Sequence, residues 1–159
     1  MINIGFIGAG ANTKNAHIPK LIEQKGVAAF GVANRTYKSG EVVAKEFGIE
    51  NVYNSWEELL DEDSIDAVCI GTWPNMHSIL TTRALEMNKH VLCEARMAMN
   101  SLEAEQMFEA SKNYPNLVTQ IVPAPHTLPY DNTIKNWIKN EMGDLILFDV
   151  KCTTGEFPN

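Results

Sequence analysis

The sequence is poor in the residues that would mark it as secreted, metal-centred or nucleic-acid-binding. Its 159 residues hold three cysteines, Cys69, Cys93 and Cys152. The number is odd, there is no C-x-x-C spacing, and each lies in an apolar, strand-like run, so buried reduced thiols are expected and a disulfide framework is not. His17, His90 and His126 show no ligand spacing and are read as incidental, with no metal site expected. Basic residues are scarce: 13 Lys and Arg stand against 20 Asp and Glu, a net charge of −7. A surface for nucleic acid needs a basic face and is therefore not expected, and any anionic ligand has to be held locally. No apolar run approaches the roughly 18 residues needed to cross a bilayer. The N-terminus shows no basic region followed by an apolar core and a cleavage site, so a cytoplasmic protein with no membrane partner is the expectation. Internal repeats and low-complexity tracts are also lacking. With 45% hydrophobic residues the chain can bury a core of about one domain.

What the sequence does have starts at its first residues. Ile2-Asn3-Ile4-Gly5-Phe6-Ile7 is a short apolar run that breaks into Gly8-Ala9-Gly10-Ala11-Asn12-Thr13. A buried strand ending in two glycines one residue apart predicts a tight turn into a helix. At such a turn Gly8 lets the chain reverse, Gly10 lets backbone N–H groups approach a phosphate, and the helix start faces the anion. The third glycine of the G-x-G-x-x-G pattern is missing. Thr13 stands there, so the helix is expected to sit further from the strand or to begin late, near Asn15.

Strand and helix then alternate. Val27–Ala33 reads as a second strand, Ser39–Phe47 as a helix stopped by Gly48, and Ile49–Tyr53 as a short third strand. Ser55 with Glu58 three residues on predicts a capping box. Ile65–Ile70 reads as the fourth strand, His77–Met87 as an amphipathic helix and His90–Cys93 as the fifth strand. Ser101–Lys112 follows as a capped helix, and Leu117–Val122 as a sixth strand. This order predicts a Rossmann-like α/β fold: a doubly wound parallel sheet with helices on both faces, ligands lying outside the carboxyl ends of the strands. Past residue 122 the pattern changes. Pro123, Pro125 and Pro129 interrupt it, Tyr130–Met142 reads as a helix, and Leu145–Cys152 as a strand with nothing after it to pair with. The expected division is 1–122 for the first domain and 123–159 for a connecting helix and the first strand of a second α/β domain, otherwise lying outside this sequence.

Gly8-Ala9-Gly10 after the first strand, Thr72-Trp73-Pro74-Asn75-Met76-His77 after the fourth and His90-Val91-Leu92-Cys93-Glu94 as the fifth resemble the Gfo/Idh/MocA oxidoreductases, named for glucose-fructose oxidoreductase and inositol dehydrogenase. The resemblance covers about residues 1 to 150. It implies an NAD(P)-binding domain preceding a substrate domain that often makes the oligomer contact, so the full-length protein is expected to be a homo-oligomer. The family's Glu-Lys-Pro signature falls on Glu94-Ala95-Arg96. In family members that lysine helps move the substrate hydroxyl proton. Ala95 has no titratable group, and Arg96 stays protonated and is a poor general base. The catalytic residues are thus left unassigned.

The expected cofactor-binding residues are Gly8, Gly10, Ala11, Asn12 and Thr13 at the phosphates, and Asn34, Arg35 and Thr36 at the adenosine ribose. His77 is expected near the nicotinamide and Trp73 either flanking it or covering the core, and Thr72, Asn75 and Glu94 complete the expected cofactor-binding set. Arginine rather than an acid after the second strand favours NADP over NAD. The leading reading is the cofactor-binding portion of an NAD(P)-dependent oxidoreductase acting on a sugar, polyol or related hydroxy or carbonyl compound, inactive as a fragment. A non-catalytic nucleotide-binding or sensing protein is the alternative, motivated by Ala95. A methyltransferase-type loop for S-adenosylmethionine is a third, and Asn34-Arg35 speaks against it because that type usually places an acid there.

Overall fold

A computed structural model describes residues 1–122, 130–144, 146, 147, 149 and 151. The chain divides into two units, Met1–Pro123 and Ala124–Asn159.

In the first unit, β1 (Ile2–Ile7) leads through a loop and a wide π-helical turn at Thr13–His17 into α1 (Ile18–Ile22). Then follow β2 (Val27–Ala33), α2 (Tyr37–Phe47), β3 (Asn51–Tyr53), α3 (Trp56–Leu60), β4 (Ala67–Ile70), α4 (Pro74–Glu86), β5 (His90–Cys93), α5 (Ser101–Asn113) and β6 (Thr119–Ile121). The six strands form one sheet in the order β3-β2-β1-β4-β5-β6, and every neighbouring pair is parallel. The strand order reverses between β1 and β4, and at such a switch point the loops leaving neighbouring strands part and open a crevice.

Both faces of the sheet are covered, which is why its strands read as nearly continuous apolar runs. Phe6 and Val32 pack with Ile18 of α1 and Val43 of α2 on one face. Ile7 and Ile70 pack with Leu59, Leu80, Leu85 and Met107 from α3, α4 and α5 on the other. Each fully buried side chain of this size contributes roughly 1.5–3 kcal/mol.

Several boundaries differ from the sequence reading. Helical backbone is already present at Asn12, not near Asn15. α4 starts at Pro74 rather than His77, because proline at the first helical position gives up no bonded N–H. The cap of α5 is Asn100: its Oδ1 accepts the Glu103 N–H at 2.9 Å, while Glu103 Oε2 accepts the Met99 N–H at 3.0 Å. Ser55 caps α3 as expected, accepting the Glu58 N–H at 3.2 Å. The return bond from Glu58 goes to the N–H of Asn54, at 2.9 Å.

In the second unit α6 spans Asp131–Asn140, and none of its residues is buried. The expected strand at Leu145–Cys152 falls largely outside the described residues, as do Pro123, Pro125, His126 and Pro129.

Candidate functional site: a glycine turn and an arginine-lined cleft

The turn after β1 is built around Gly8, whose φ of +78° places it in the left-handed region. A side chain there would also meet the next loop, with Thr72 Cγ2 2.6 Å from the Cβ position. The turn is fastened by the Gly8 N–H donating to Ala33 O at 2.9 Å and the Gly10 N–H donating to Gly8 O at 2.8 Å. Gly10 has a different role, since among the described residues no atom beyond its own chain neighbours lies within 4 Å of where its Cβ would be. The fold does not require glycine there, and the space in front of it is open.

The first helical N–H with a backbone partner is that of Lys14, donating to Gly10 O at 3.0 Å. The N–H groups of Ala11, Asn12 and Thr13 have no partner among the described residues, as expected of a helix start.

Thr13, in the place of the missing third glycine, is 1% exposed. The close packing of helix on strand is kept because the glycine has moved to the facing strand end: a Cβ at Gly71 would lie 2.0 Å from Thr13 Oγ1 and 2.8 Å from Gly8 O. Thr13 is therefore a buried packing residue, and the expectation of a late-starting helix is corrected.

Beside the turn lies a cleft of about 340 Å³ lined by Gly8, Asn34, Arg35, Trp56, Glu57 and Thr72, among others. Arg35 is exposed and takes part in no ion pair among the described residues. Thr72 Oγ1 is buried without a hydrogen-bond partner among the described residues. Glu57 brings an acid to the wall shared with Arg35, a neighbour that the sequence around Arg35 does not show. A larger groove of about 610 Å³ runs between α4 and α5, and none of its lining comes from the glycine turn.

Two residues expected at the ribose are engaged with the protein itself. Asn34 Oδ1 accepts the Ala9 N–H at 2.7 Å, and its Nδ2 donates to Ser39 O at 3.1 Å, so its amide ties the glycine turn to the start of α2. Thr36 caps α2, its Oγ1 accepting the Ser39 N–H at 3.3 Å.

His77, expected near the nicotinamide, is wholly buried. Its Nδ1 lies 2.8 Å from Arg96 O and its Nε2 3.0 Å from Thr72 O. Both nitrogens face backbone carbonyls, so the ring brackets the loop after β4 to the loop after β5 and offers no free atom to a ligand. Trp73, by contrast, is 81% exposed and does not cover the core. Asn75 sits exposed in the first turn of α4.

Glu94, at the carboxyl end of β5, is the hub of a small polar cluster. Its Oε1 accepts from Asn12 Nδ2 and pairs with His17 Nε2, and its Oε2 accepts the Ala95 N–H at 2.9 Å. Burial pushes the carboxyl up, but the His17 hydrogen bond, the Ala95 N–H, the His17 charge and Asn12 together hold it below its ordinary value. His17 is thus not incidental. Among the described residues no group of three or more His, Cys, Asp and Glu is arranged to hold a metal, and no helix is long and apolar enough to cross a membrane.

Residues 2–121 match the family described as "Oxidoreductase family, NAD-binding Rossmann fold" (GFO_IDH_MocA). The chain belongs to this family. Among the relatives of this Gfo/Idh/MocA domain, an uncharacterized oxidoreductase of Rhizobium meliloti is 30% identical over 109 residues, 69% of this chain and 33% of that protein. Glucose-fructose oxidoreductase domain-containing protein 2 of Xenopus laevis is 29% identical over 154 residues, 96% of this chain and 39% of that protein. A mutant of KijD10, a 3-ketoreductase from Actinomadura kijaniata in complex with TDP-benzene and NADP, superposes with a TM-score of 0.67 at 27% identity, over 71% of this chain and 36% of that one. The Gfo/Idh/MocA chain described here therefore spans only about a third to two fifths of the length of these relatives.

Proposed function

We propose that this domain binds a nicotinamide dinucleotide, NADP(H) in preference to NAD(H), as the cofactor portion of an oxidoreductase acting on a sugar, polyol or related hydroxy or carbonyl compound. The observation that carries this reading is the open turn at Gly10. Among the described residues it leaves the N–H groups of Ala11, Asn12 and Thr13 without partners, beside a cleft lined by Arg35 and by Thr72, whose buried hydroxyl has none either. The donor set suits the ligand, because partnerless N–H groups at a helix start favour a pyrophosphate and a free guanidinium favours a 2′-phosphate. When bound, the dinucleotide supplies the hydride that is exchanged with substrate.

In this reading Gly8 shapes the turn, Gly10 and the N–H groups after it hold the phosphates, and Arg35 holds the 2′-phosphate. Thr72, Trp73 and Glu94 face the remainder of the cofactor. Asn34, Thr36 and His77 act one step removed, by fixing the turn, α2 and the two loops. Residues from Ala124 onward begin the substrate domain of a longer, cytoplasmic and oligomeric protein. In this reading the 159-residue chain is inactive alone, because Ala95 cannot move a proton and substrate is held by the second domain. Holding substrate at reacting distance is worth roughly 7–11 kcal/mol.

Ala95 also favours a second reading, a nucleotide-binding protein without chemistry. Calorimetric titration with NADPH, NADH and S-adenosylmethionine separates the classes. The reading predicts binding in the order NADPH, then NADH, with S-adenosylmethionine undetected, and tight binding of S-adenosylmethionine alone would reject it. For the full-length protein, substrate-dependent NADPH oxidation favours the enzyme over the sensor.

A further inference from the structure

The sequence offers no reason to connect His17 with Glu94, yet the fold brings them together across 77 positions, with side chains only 13% and 12% exposed. The same carboxylate oxygen accepts Asn12 Nδ2. Asn12 belongs to the helix start whose N–H groups lack partners, so a carboxylate stands beside the place where an anionic ligand would sit. An uncompensated negative charge there opposes an anion. His17 supplies the compensating donor and, when protonated, the compensating charge.

We propose that His17 is a positioning residue for dinucleotide binding: by pairing with Glu94 it neutralises that carboxylate and holds Asn12, and with it the first helical turn, on the carboxyl end of β5. This rests on the dinucleotide reading given above. His17 reaches no phosphate itself and acts through Glu94. The other titratable groups facing Glu94 are the thiols of Cys69 on β4 and Cys93 on β5. Burial pushes these up to about 12 and about 11, so both are neutral near neutral pH and cannot replace His17.

The test compares the wild-type chain with His17→Leu, which removes the donor, and His17→Gln, which restores a neutral donor. Each is titrated calorimetrically with NADPH between about pH 5 and 8, with its thermal midpoint measured alongside. His17→Leu is expected to weaken binding about tenfold at neutral pH, the size of one charge-assisted hydrogen bond. His17→Gln should recover part of that loss, and the loss in both variants should shrink as pH falls and protonation removes the uncompensated charge of Glu94. Equal affinity and the same pH dependence in all three proteins would overturn the proposal. If His17→Leu does not fold, the pH profile of His17→Gln carries the same decision.

The pairing is read separately by following the Glu94 carboxyl carbon by NMR without nucleotide. Its titration should shift upward in His17→Gln, and an unchanged titration overturns the pair even where NADPH binding is intact. A wild-type chain that binds neither NADPH nor NADH while Glu94 still responds to His17 would instead sink the dinucleotide reading, and the proposed positioning role with it.

Discussion

Replacing Gly71 by alanine tests how the fold absorbs the loss of the third glycine. The new Cβ would lie 2.0 Å from Thr13 Oγ1, 3.3 Å from Thr13 Cβ and 2.8 Å from Gly8 O. Two of these atoms belong to Thr13, which is buried and cannot swing into solvent, and the third is backbone. Overpacking of this kind typically costs about 1–3 kcal/mol, and contact with rigid neighbours on both sides puts Gly71→Ala at the upper end, about 3 kcal/mol. For a chain of this size that is a fall of roughly 6–12 °C in unfolding midpoint.

These contacts also fix a coupling. Removing the Thr13 side chain clears the nearest atoms but leaves the Gly8 carbonyl in place. Gly71→Ala in a Thr13→Gly background should therefore cost about 1–2 kcal/mol less than in the wild type. Urea unfolding of the four proteins of this double-mutant cycle measures the coupling. Strict additivity within about 0.3–0.5 kcal/mol would refute the claim that Gly71 exists to seat Thr13.

Arg35→Ala should cut the preference for NADPH over NADH by about ten- to a hundredfold, a contact of roughly 1.5–3 kcal/mol, read from the ratio of the two calorimetric constants. Glu57→Gln should raise that ratio, because Glu57 lines the same cleft as Arg35. Stability should decline in acid. The folded-state value of Glu94 lies below its ordinary one, so its contribution is complete above the ordinary carboxyl value and is lost as pH falls through the folded value. Denaturant midpoints measured from neutral pH downward should show a loss that is reduced in Glu94→Gln. Cys69 and Cys93, raised to about 12 and about 11 by burial, should resist iodoacetamide in the native protein and react after unfolding, as read by mass spectrometry of their peptides.

The sequence discloses the sheet best where burial on both faces makes a strand uniformly apolar. The bounds of β1, β2 and β5 follow their apolar runs residue for residue. β3 and β4 are shorter than the segments Ile49–Tyr53 and Ile65–Ile70 for a physical reason: Ile49 and Ile65 are buried, at 5% and 1% exposure, but reach the core from outside the strands. Apolarity reports burial, not strand geometry. The glycine turn is legible because local spacing encodes it. What escaped was non-local: Gly71 making room for Thr13, His17 meeting Glu94, and Trp56 and Glu57 closing the cleft around Arg35. A hint existed for the last two, which follow the Ser55 cap at the carboxyl end of β3, where open α/β sheets place ligands. Residue type alone does not show which polar side chains the fold itself engages. Asn34, Thr36 and His77 suit a ligand by residue type, yet their hydrogen-bonding atoms are engaged by the backbone of the turn, α2 and the two loops.

The central claim is that the open turn at Gly10 is a dinucleotide site, and the most direct measurement is calorimetric titration of the purified chain and of Gly10→Val with NADPH. Because among the described residues no atom beyond the chain neighbours lies within 4 Å of a Cβ at Gly10, valine should leave the unfolding midpoint without nucleotide close to the wild-type value while abolishing binding. Undiminished NADPH binding by a folded Gly10→Val protein would contradict the account, and so would a wild-type chain that binds no dinucleotide.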